Sequence, residues 1–195
     1  MVVPDTRISL IARLHDHDDV SAWMEFCAIY QRVIYNISKK YGLQDADAHE
    51  VSQNVLLSVS QQIHEFDTLK SGRFRGWLGR IARNATIDQL RKNHRELASS
   101  GIAIRETYIS SNLDEDSQQF DIEAHREQFR WAAEKVRVNS NERTWYAFWS
   151  TAVLGQSPHA VAKQLGMSVG SVYVARCRTL AKIKALVDPF RGGVK

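Results

Sequence analysis

Cysteine, proline and glycine are all scarce in this sequence, with two, three and ten copies among 195 residues. Two cysteines, Cys27 and Cys177, are too few for a disulfide scaffold, and their separation matches no metal-binding spacing. Both lie in helical patterns, so we expect reduced, buried thiols. The lack of proline and glycine disfavours a turn-rich β fold and favours long helices.

The chain also lacks a long apolar run. Residues 1–19 have neither the basic start, the apolar stretch nor the cleavage site of a signal peptide. Residues 144–162 are free of charged side chains other than His, but Gly155 and Ser157-Pro158 predict a break between two short helices. We therefore expect a cytoplasmic protein with no membrane insertion.

Apolar residues make up 44% of the chain, enough for a buried core. They recur at helical spacing, and no segment alternates as a strand would. The sequence predicts an all-α fold of two small helical domains joined by a flexible acidic linker, the second with a helix-turn-helix. We place the domains at residues 1–95 and 123–190. Residues 96–122 lose their periodicity and form the predicted linker. Helical spacing then resumes with Ile122, Phe129, Trp131, Ala132 and Val136.

Helix boundaries in the first domain are marked by particular residues. Asp18 or Asp19 is suited to cap a long helix, which Gly42 would stop. Asp45 begins a third helix. Its predicted buried stripe has apolar residues at steps of four: Val51, Val55, Val59 and Ile63.

Charge is distributed unevenly along the chain. Residues 73–95 and 157–195 each carry seven basic side chains and one acidic side chain, whereas residues 96–127 carry two basic and eight acidic ones. Two basic regions on either side of an acidic one indicate two contacts with nucleic acid.

The first basic region is a helix that follows Gly72. At about 100° per residue, Phe74, Leu78, Ile81 and Ala85 form an apolar stripe, with Trp77 beside it as an anchor. The neighbouring stripe carries Arg73, Arg80, Asn84 and Arg91, with Arg83 close by. Guanidinium and amide groups bind phosphates and base edges. A solvated basic face is the alternative, but five arginines without a lysine over residues 73–91 favour nucleic-acid binding.

The second basic region contains the pattern typical of a helix-turn-helix. Ser157 and Pro158 begin a short helix, and Gly166 to Ser168 form a turn before a longer basic helix. On that helix the inward residues are Val172, Thr179, Leu180 and Ile183, and the outward ones are Ser171, Val174 and Arg178. Ser168 and the free amides of the first turn could hold a phosphate. An ordinary helical hairpin is the alternative.

Together these segments resemble the extracytoplasmic-function sigma factors of bacterial RNA polymerase. DAHEVSQNVLLSVSQQIHEFD, residues 47–67, is similar to the polymerase-binding helix of that family. FRGWLGRIARNATIDQLRK, residues 74–92, is similar to its promoter-melting helix. Gly166, Ser168 and Arg178, with VGSV at 169–172, resemble its distal promoter-binding domain.

The resemblance implies a transcription initiation factor that is not an enzyme and uses no cofactor or metal. Its partners would be the RNA polymerase core and promoter DNA, with an anti-sigma factor left open, and the acidic linker would thread the polymerase. Polymerase would meet Asp47, Glu50, Gln53, Asn54 and Leu57. The minus-ten element would meet Thr68, Leu69, Lys70, Ser71, Arg73, Arg80, Arg83, Asn84 and Arg91. The minus-thirty-five element would meet Ser168, Ser171, Tyr173, Val174, Arg178 and Lys182.

Some positions depart from the family pattern, and two other functions remain as alternatives. Arg176 occupies an inward turn that is often apolar, and Val174 and Ala175 replace polar residues at the groove face. A free-standing helix-turn-helix regulator would leave the first basic helix without a role. A nucleic-acid enzyme needs clustered carboxylates, and its densest candidate, residues 15–19, is expected to form a solvated turn.

Overall fold

The computed structural model describes residues 8–66, 73–99 and 113–187. Every regular element in those ranges is helical, which confirms the predicted all-α class. The chain divides into two compact units, Met1–Glu127 and Gln128–Lys195. No helix in the described ranges is long and apolar enough to cross a membrane.

The first unit is built from four α-helices and the first half of a fifth, as far as it is described. A 3-10 turn, Ile63–Glu65, continues its third helix. The helices are α1 (Ile8–Leu14), α2 (Val20–Lys40), α3 (Asp45–Gln62), α4 (Phe74–Ser99) and α5 (Leu113–Val138).

Local sequence explains where α2 begins and ends. Of the two predicted caps it is Asp19 that accepts a hydrogen bond from the Ala22 amide, at 2.9 Å. Its carboxylate also accepts two hydrogen bonds from the guanidinium of Arg13, and these bonds hold the pKa of Asp19 below its ordinary value. Gly42 follows α2 with a φ of 96°, a left-handed conformation that glycine adopts without strain. Asp45 is the first residue of α3, as predicted.

The centre of the first unit is an aromatic cluster. The ring of Phe26 lies 4.9 Å from that of Tyr30 and 6.0 Å from that of Phe74. Phe66 joins the cluster at 5.3 Å from Phe74, and Trp77 lies 5.1 Å from Phe66. The indole therefore anchors α4, as predicted. The predicted stripe of α3 is also buried: Val51, Val55, Val59 and Ile63.

The predicted flexible linker is wrong wherever the structure describes it. Residues 96–99 complete α4 and residues 113–122 begin α5, while residues 100–112 lie outside the described residues. The predicted phase of α5 is partly wrong: Ile122 and Phe129 are exposed, whereas Ala132 and Val136 are buried. The inward residues before the boundary between the units are Phe120, Glu123, Ala124 and Glu127. Two of these four are carboxylates, so a pattern based on apolar spacing does not detect this face.

The second unit contains the remainder of α5 and three further helices in its described part. Two small apolar clusters form its core. The helices are α6 (Glu142–Ala152), α7 (Pro158–Leu165) and α8 (Val169–Val187). One cluster is Ala132, Ala133, Val136, Phe148 and Ile183. The other is Ala147, Val161, Ala162, Val172 and Ala175.

The connection between α7 and α8 is a tight turn. The Ser157 hydroxyl caps α7 by accepting from the Ala160 amide at 3.2 Å. Gly166 ends α7 with a φ of 59°, which brings the Met167 amide back to the carbonyl of Ala162 at 2.9 Å. The guanidinium of Arg143 on α6 donates to the carbonyl of Gly166 at 3.2 Å. These bonds fix the turn from both sides.

The cysteine prediction is half wrong. Both thiols are free, but Cys177 is exposed on α8 and Cys27 is half-buried on α2. Burial raises the pKa of the Cys27 thiol. The usual burial of a free cysteine does not hold for Cys177, because the residues that face the core on this part of α8 are Ala175 and Thr179.

Candidate nucleic-acid interface

The outer face of α4 presents the predicted polar stripe to solvent. Arg73, Arg80, Asn84 and Arg91 are all exposed. Nη1 of Arg91 lies 3.5 Å from the carboxylate of Asp88. Both side chains are exposed, so this ion pair restrains Arg91 only weakly. The structure thus brings three guanidinium groups and one amide onto a single open face.

The buried stripe of α4 is rotated slightly from the predicted one. Phe74 and Leu78 are fully buried as expected, but Ile81 and Ala85 are only partly buried. Ala82 and Thr86 take the central positions, each with no exposed surface. The Thr86 hydroxyl lies 3.0 Å from that of Ser38 on α2, and this bond satisfies both buried groups.

Arg83 does not belong to the open face. Its Nε donates to Oδ2 of Asp116 on α5 at 2.7 Å, and the side chains of Arg83 and Asp116 are 18% and 17% exposed. This hydrogen bond raises the pKa of the Arg83 guanidinium. Its predicted place among the minus-ten residues is therefore corrected to a place in the contact between α4 and α5.

Arg75 is a structural residue that the sequence does not reveal. Its side chain is 2% exposed, and its Nη1 lies 3.6 Å from Oδ1 of Asp121 and 3.4 Å from Nδ1 of His125. Both partners lie on α5, in the segment predicted as linker or just after it. The sequence carries no signal for this burial, because an arginine beside a basic stripe is expected to be solvated.

Gly79 allows α5 to approach α4 closely. A Cβ atom at Gly79 would lie 3.2 Å from Cγ of Phe120, which is tighter than ordinary van der Waals contact. Phe120 itself is 3% exposed. The Phe120 ring thus packs in the space that a side chain at position 79 would occupy.

A cluster of polar bonds extends this contact to α2. Lys40 Nζ lies 2.6 Å from Oε1 of Glu123, and Arg126 Nη1 lies 2.8 Å from the same oxygen. Asn36 Nδ2 donates to both Glu123 and Glu127 at 3.4 Å. Burial by itself raises the pKa of Glu123. The hydrogen bond and charge of Lys40, with smaller contributions from Arg126 and Asn36, lower it by more than burial raises it. The pKa of Glu123 is therefore below its ordinary value.

The predicted polymerase-binding face of α3 is largely open. Glu50, Gln53, Asn54 and Leu57 are exposed, and Leu57 has 57% of its surface free. Asp47 differs because its carboxylate accepts from Asn93 at 2.7 Å and from Gln89 at 3.4 Å, both on α4. Asp47 therefore ties α3 to α4. The predicted loop residues Thr68, Leu69, Lys70 and Ser71 lie outside the described residues.

The six predicted residues, Ser168 just before α8 and five on it, are all exposed, but the five on the helix do not share one face. Ser171, Val174, Arg178 and Lys182 follow one stripe, whereas Tyr173 lies about 140° around the helix from Arg178. Of the predicted inward residues, Val172, Thr179 and Ile183 are buried and Leu180 is partly buried. Tyr173 is thus separated from the residues that could read a groove together.

Two other assignments on α8 are corrected. Arg176, placed in an inward turn, is exposed, and Ala175, placed at the groove face, is 5% exposed and packs in the core. Ser168 caps the helix: its hydroxyl accepts from the Ser171 amide at 3.1 Å and lies 2.8 Å from the Ser171 hydroxyl. One cap thereby orients both serines of the predicted site.

The acidic and histidine-rich run at residues 15–19 connects α1 to α2. Asp16 accepts from the Asp18 amide at 3.0 Å, and Asp19 is the helix cap, so these carboxylates have local structural roles. Within the described ranges, no group of three His, Cys, Asp or Glu side chains is placed to hold a metal ion.

Part of the first unit matches a known family. Residues 26–96 match the family model described as Sigma-70 region 2. The matched segment includes most of α2, the whole of α3 and most of α4, and with them the exposed stripe and the open face of α3.

Two curated proteins are similar to this chain. The ECF RNA polymerase sigma factor RpoE of Cereibacter sphaeroides is 31% identical over 86 residues, which are 44% of this chain and 47% of that protein. The RNA polymerase sigma factor CnrH of Cupriavidus metallidurans is 25% identical over 154 residues, 77% of this chain and 78% of that protein. The first match thus spans about half the length of the relative.

Several solved structures are similar at low identity, and two of them follow. CnrH in complex with the cytosolic domain of CnrY has a TM-score of 0.39 and 21% identity, over 94% of this chain and 98% of that one. The sigma factor RpoE in complex with the anti-sigma factor NepR from Bartonella quintana has a TM-score of 0.36 and 17% identity, over 87% of this chain and 98% of that one.

Proposed function

We propose that this chain is an extracytoplasmic-function sigma factor, which directs the RNA polymerase core to promoters and helps to melt them. The observation that carries the proposal is the open face of α4. It presents Arg73, Arg80, Asn84 and Arg91 within the segment that matches Sigma-70 region 2. The chain performs no catalytic step in this proposal.

The α4 face is suited to hold a single strand. From Arg80 to Arg91 the helix rises about 16 Å, which is enough to follow several nucleotides. Guanidinium groups neutralise phosphates, and the amide of Asn84 can hydrogen-bond a base edge. Opening then proceeds by capture, in which an unpaired base is bound at this face and its return to the duplex is prevented.

Core binding is assigned to the outer face of α3. Glu50 supplies charge, Gln53 and Asn54 supply hydrogen bonds, and exposed Leu57 supplies apolar contact area. Asp47 holds α3 against α4 through Asn93, so it positions this face rather than contacting the polymerase. Docking and strand capture are thereby assigned to different helices of one unit.

The second unit is assigned to the minus-thirty-five duplex. Its α8 would enter the major groove with Ser171, Val174, Arg178 and Lys182, and the exposed Val174 could contact a thymine methyl group. The capped amino terminus of α8 at Ser168 would lie against a phosphate.

The proposal is tested by reconstitution with purified core polymerase. Glu50→Lys reverses a charge on α3 and should weaken core binding. Arg80→Ala combined with Asn84→Ala should bind core normally but form few open complexes, read by permanganate reactivity of unpaired thymines. Lys92→Ala removes an exposed charge from another side of α4 and serves as the control.

Two outcomes would contradict the proposal. Tight, sequence-specific binding of duplex DNA by the chain without polymerase would indicate a free-standing helix-turn-helix regulator. Equal loss of core affinity in the Glu50 variant and in the Arg80 and Asn84 variant would contradict the division between α3 and α4.

A further inference from the structure

The first half of α5, residues 116–127 and named the acidic segment, lies against the same helix that carries the proposed strand-binding face. Asp116 pairs with Arg83 at 2.7 Å and Asp121 lies 3.6 Å from Arg75, both on α4. Glu123 pairs with Lys40 on α2 at 2.6 Å. Carboxylates of one helix therefore engage basic groups that would otherwise add to the positive field around the DNA site.

The contact between the acidic segment and α4 depends on close packing as well as on charge. Phe120 occupies the space above Gly79, and Phe120 and Ala124 are both nearly or fully buried. Glu123 and Glu127 are 2% and 3% exposed, so their charges have been removed from water and are compensated by protein partners. A chance contact between an acidic surface and a basic one would not bury its carboxylates in this way.

The acidic segment makes Arg83 unable to bind a phosphate while it stays docked. Both side chains of the Arg83–Asp116 pair are less than a fifth exposed, and the bond between them is short and charge-assisted. Arg83 lies close to Asn84 and Arg80 along α4, so a strand on the open face passes beside it. Undocking would add a guanidinium to that face.

We propose that the acidic segment is a built-in competitor of single-stranded DNA, which must leave α4 before the strand can bind with full affinity. The inference rests on the proposed function, because it takes the α4 face as the strand-binding site. Docked, the segment lowers binding of nucleic acid to the free protein. Undocked, it exposes Arg83 and removes nearby negative charge.

A reversible lock tests whether the segment has to leave. Cβ atoms at positions 79 and 120 would lie 3.6 Å apart, which is within the range of a disulfide. We would combine Gly79→Cys with Phe120→Cys in a chain whose own thiols are removed by Cys27→Ala and Cys177→Ser. Fluorescence anisotropy then measures binding of a labelled single-stranded DNA oligonucleotide to the full chain, oxidised and reduced, at one ionic strength.

The oxidised form should bind the oligonucleotide about tenfold more weakly than the reduced form, as expected when one charge-assisted contact is withheld. Gly79→Cys alone in the same background should respond to neither oxidant nor reductant. Equal affinity of the oxidised and reduced double variant, or tighter binding by the oxidised form, would overturn the proposal.

A second variant keeps the test independent of the disulfide. Asp116→Asn removes the negative charge that holds Arg83 and should raise affinity for the oligonucleotide by about threefold to tenfold. Glu134→Gln makes the same charge change on an exposed part of α5, where the carboxylate lies 3.6 Å from the guanidinium of Arg137. If both variants bind more tightly by the same factor, general charge is responsible and the proposal is wrong.

Failure of the inference can be separated from failure of the proposed function. Core binding and promoter-dependent transcription by the unaltered chain test the latter alone. If transcription succeeds while the lock has no effect on strand affinity, only the competitor is disproved. If the lock weakens strand binding while core binding is absent, the competitor stands and the sigma-factor function fails.

Discussion

Lys40 at the end of α2 and Glu123 on α5 lie 83 positions apart in the chain, yet their Nζ and Oε1 atoms are 2.6 Å apart. The carboxylate is 3% exposed, whereas the side chain of Lys40 is 45% exposed. Glu123 is therefore the buried partner and depends on the pair, while Lys40 retains access to water. One carboxylate thus connects the amino-terminal helices to the residue at which the sequence predicted the second domain to begin.

Replacing Glu123 should destabilise the first unit. Glu123→Ala removes the acceptor shared by Lys40, Arg126 and Asn36, and we expect a loss of about 1–3 kcal/mol in the free energy of unfolding. Glu134→Ala, on an exposed turn of the same helix, should change it by less than about 0.5 kcal/mol. Urea unfolding followed by circular dichroism measures both, and equal effects would contradict the assigned role.

Acid should undock the acidic segment. The pKa of Glu123 is lower in the folded protein than its ordinary value of 4.5. Its carboxylate therefore stabilises the fold above that ordinary value, and this contribution is lost as the pH falls through the lowered pKa. Hydrogen exchange of residues 116–127 should accelerate on acidification below about pH 4.5, after correction for the intrinsic rate. Glu123→Gln should flatten that response; an unchanged response would assign it to other carboxylates, such as Asp19.

The two glycines of α4 should respond differently to the same substitution. Gly79→Leu places a side chain where Phe120 packs and should cost about 1–3 kcal/mol. A Cβ atom at Gly76 would meet no other part of the described structure within 4 Å, so Gly76→Leu should be neutral or stabilise by up to about 1 kcal/mol. Thermal unfolding compares them, and similar losses for the two variants would contradict the α5 contact as the cause.

Arg178 and Arg176 form a matched pair on α8. Both are exposed, but they lie about 160° apart around the helix. Arg178→Ala should weaken binding of the holoenzyme to the minus-thirty-five element by about 1–3 kcal/mol, the cost of a lost base contact. Arg176→Ala should have a smaller effect that does not depend on the sequence of the element. Quantitative footprinting on intact and altered elements distinguishes the two.

Helices whose boundaries and buried faces are set by their own residues could be predicted from the sequence. Asp19, Gly42 and Asp45 mark the boundaries of α2 and α3, and apolar steps of four locate the buried face of α3. The exposed stripe on α4 followed from helical geometry alone. In these cases the residue that decides the structure lies in the element itself, so local sequence is sufficient.

The contact between α4 and α5 was not predictable in the same way. Glu123, Glu127 and Arg75 are buried because each finds partners far along the chain, and residue type alone predicts that they are exposed. Arg83 and Asp47 were assigned to intermolecular sites for the same reason. The complementary charges around Gly79 and Phe120 relate α4 to α5 in the sequence, but these charges follow no fixed spacing along the chain.

Phe66 and Phe74, whose rings lie 5.3 Å apart, anchor the two ends of the segment from 67 to 73 in one aromatic cluster. Because the ends meet regardless of what connects them, the connecting residues can be exchanged without altering the core. Lengthening such a connection is also inexpensive, since doubling a loop costs only about 0.6 kcal/mol. We therefore expect the packing of Phe66 against Phe74, and with it the scaffold of the first unit, to survive replacement of residues 67–72 by another sequence.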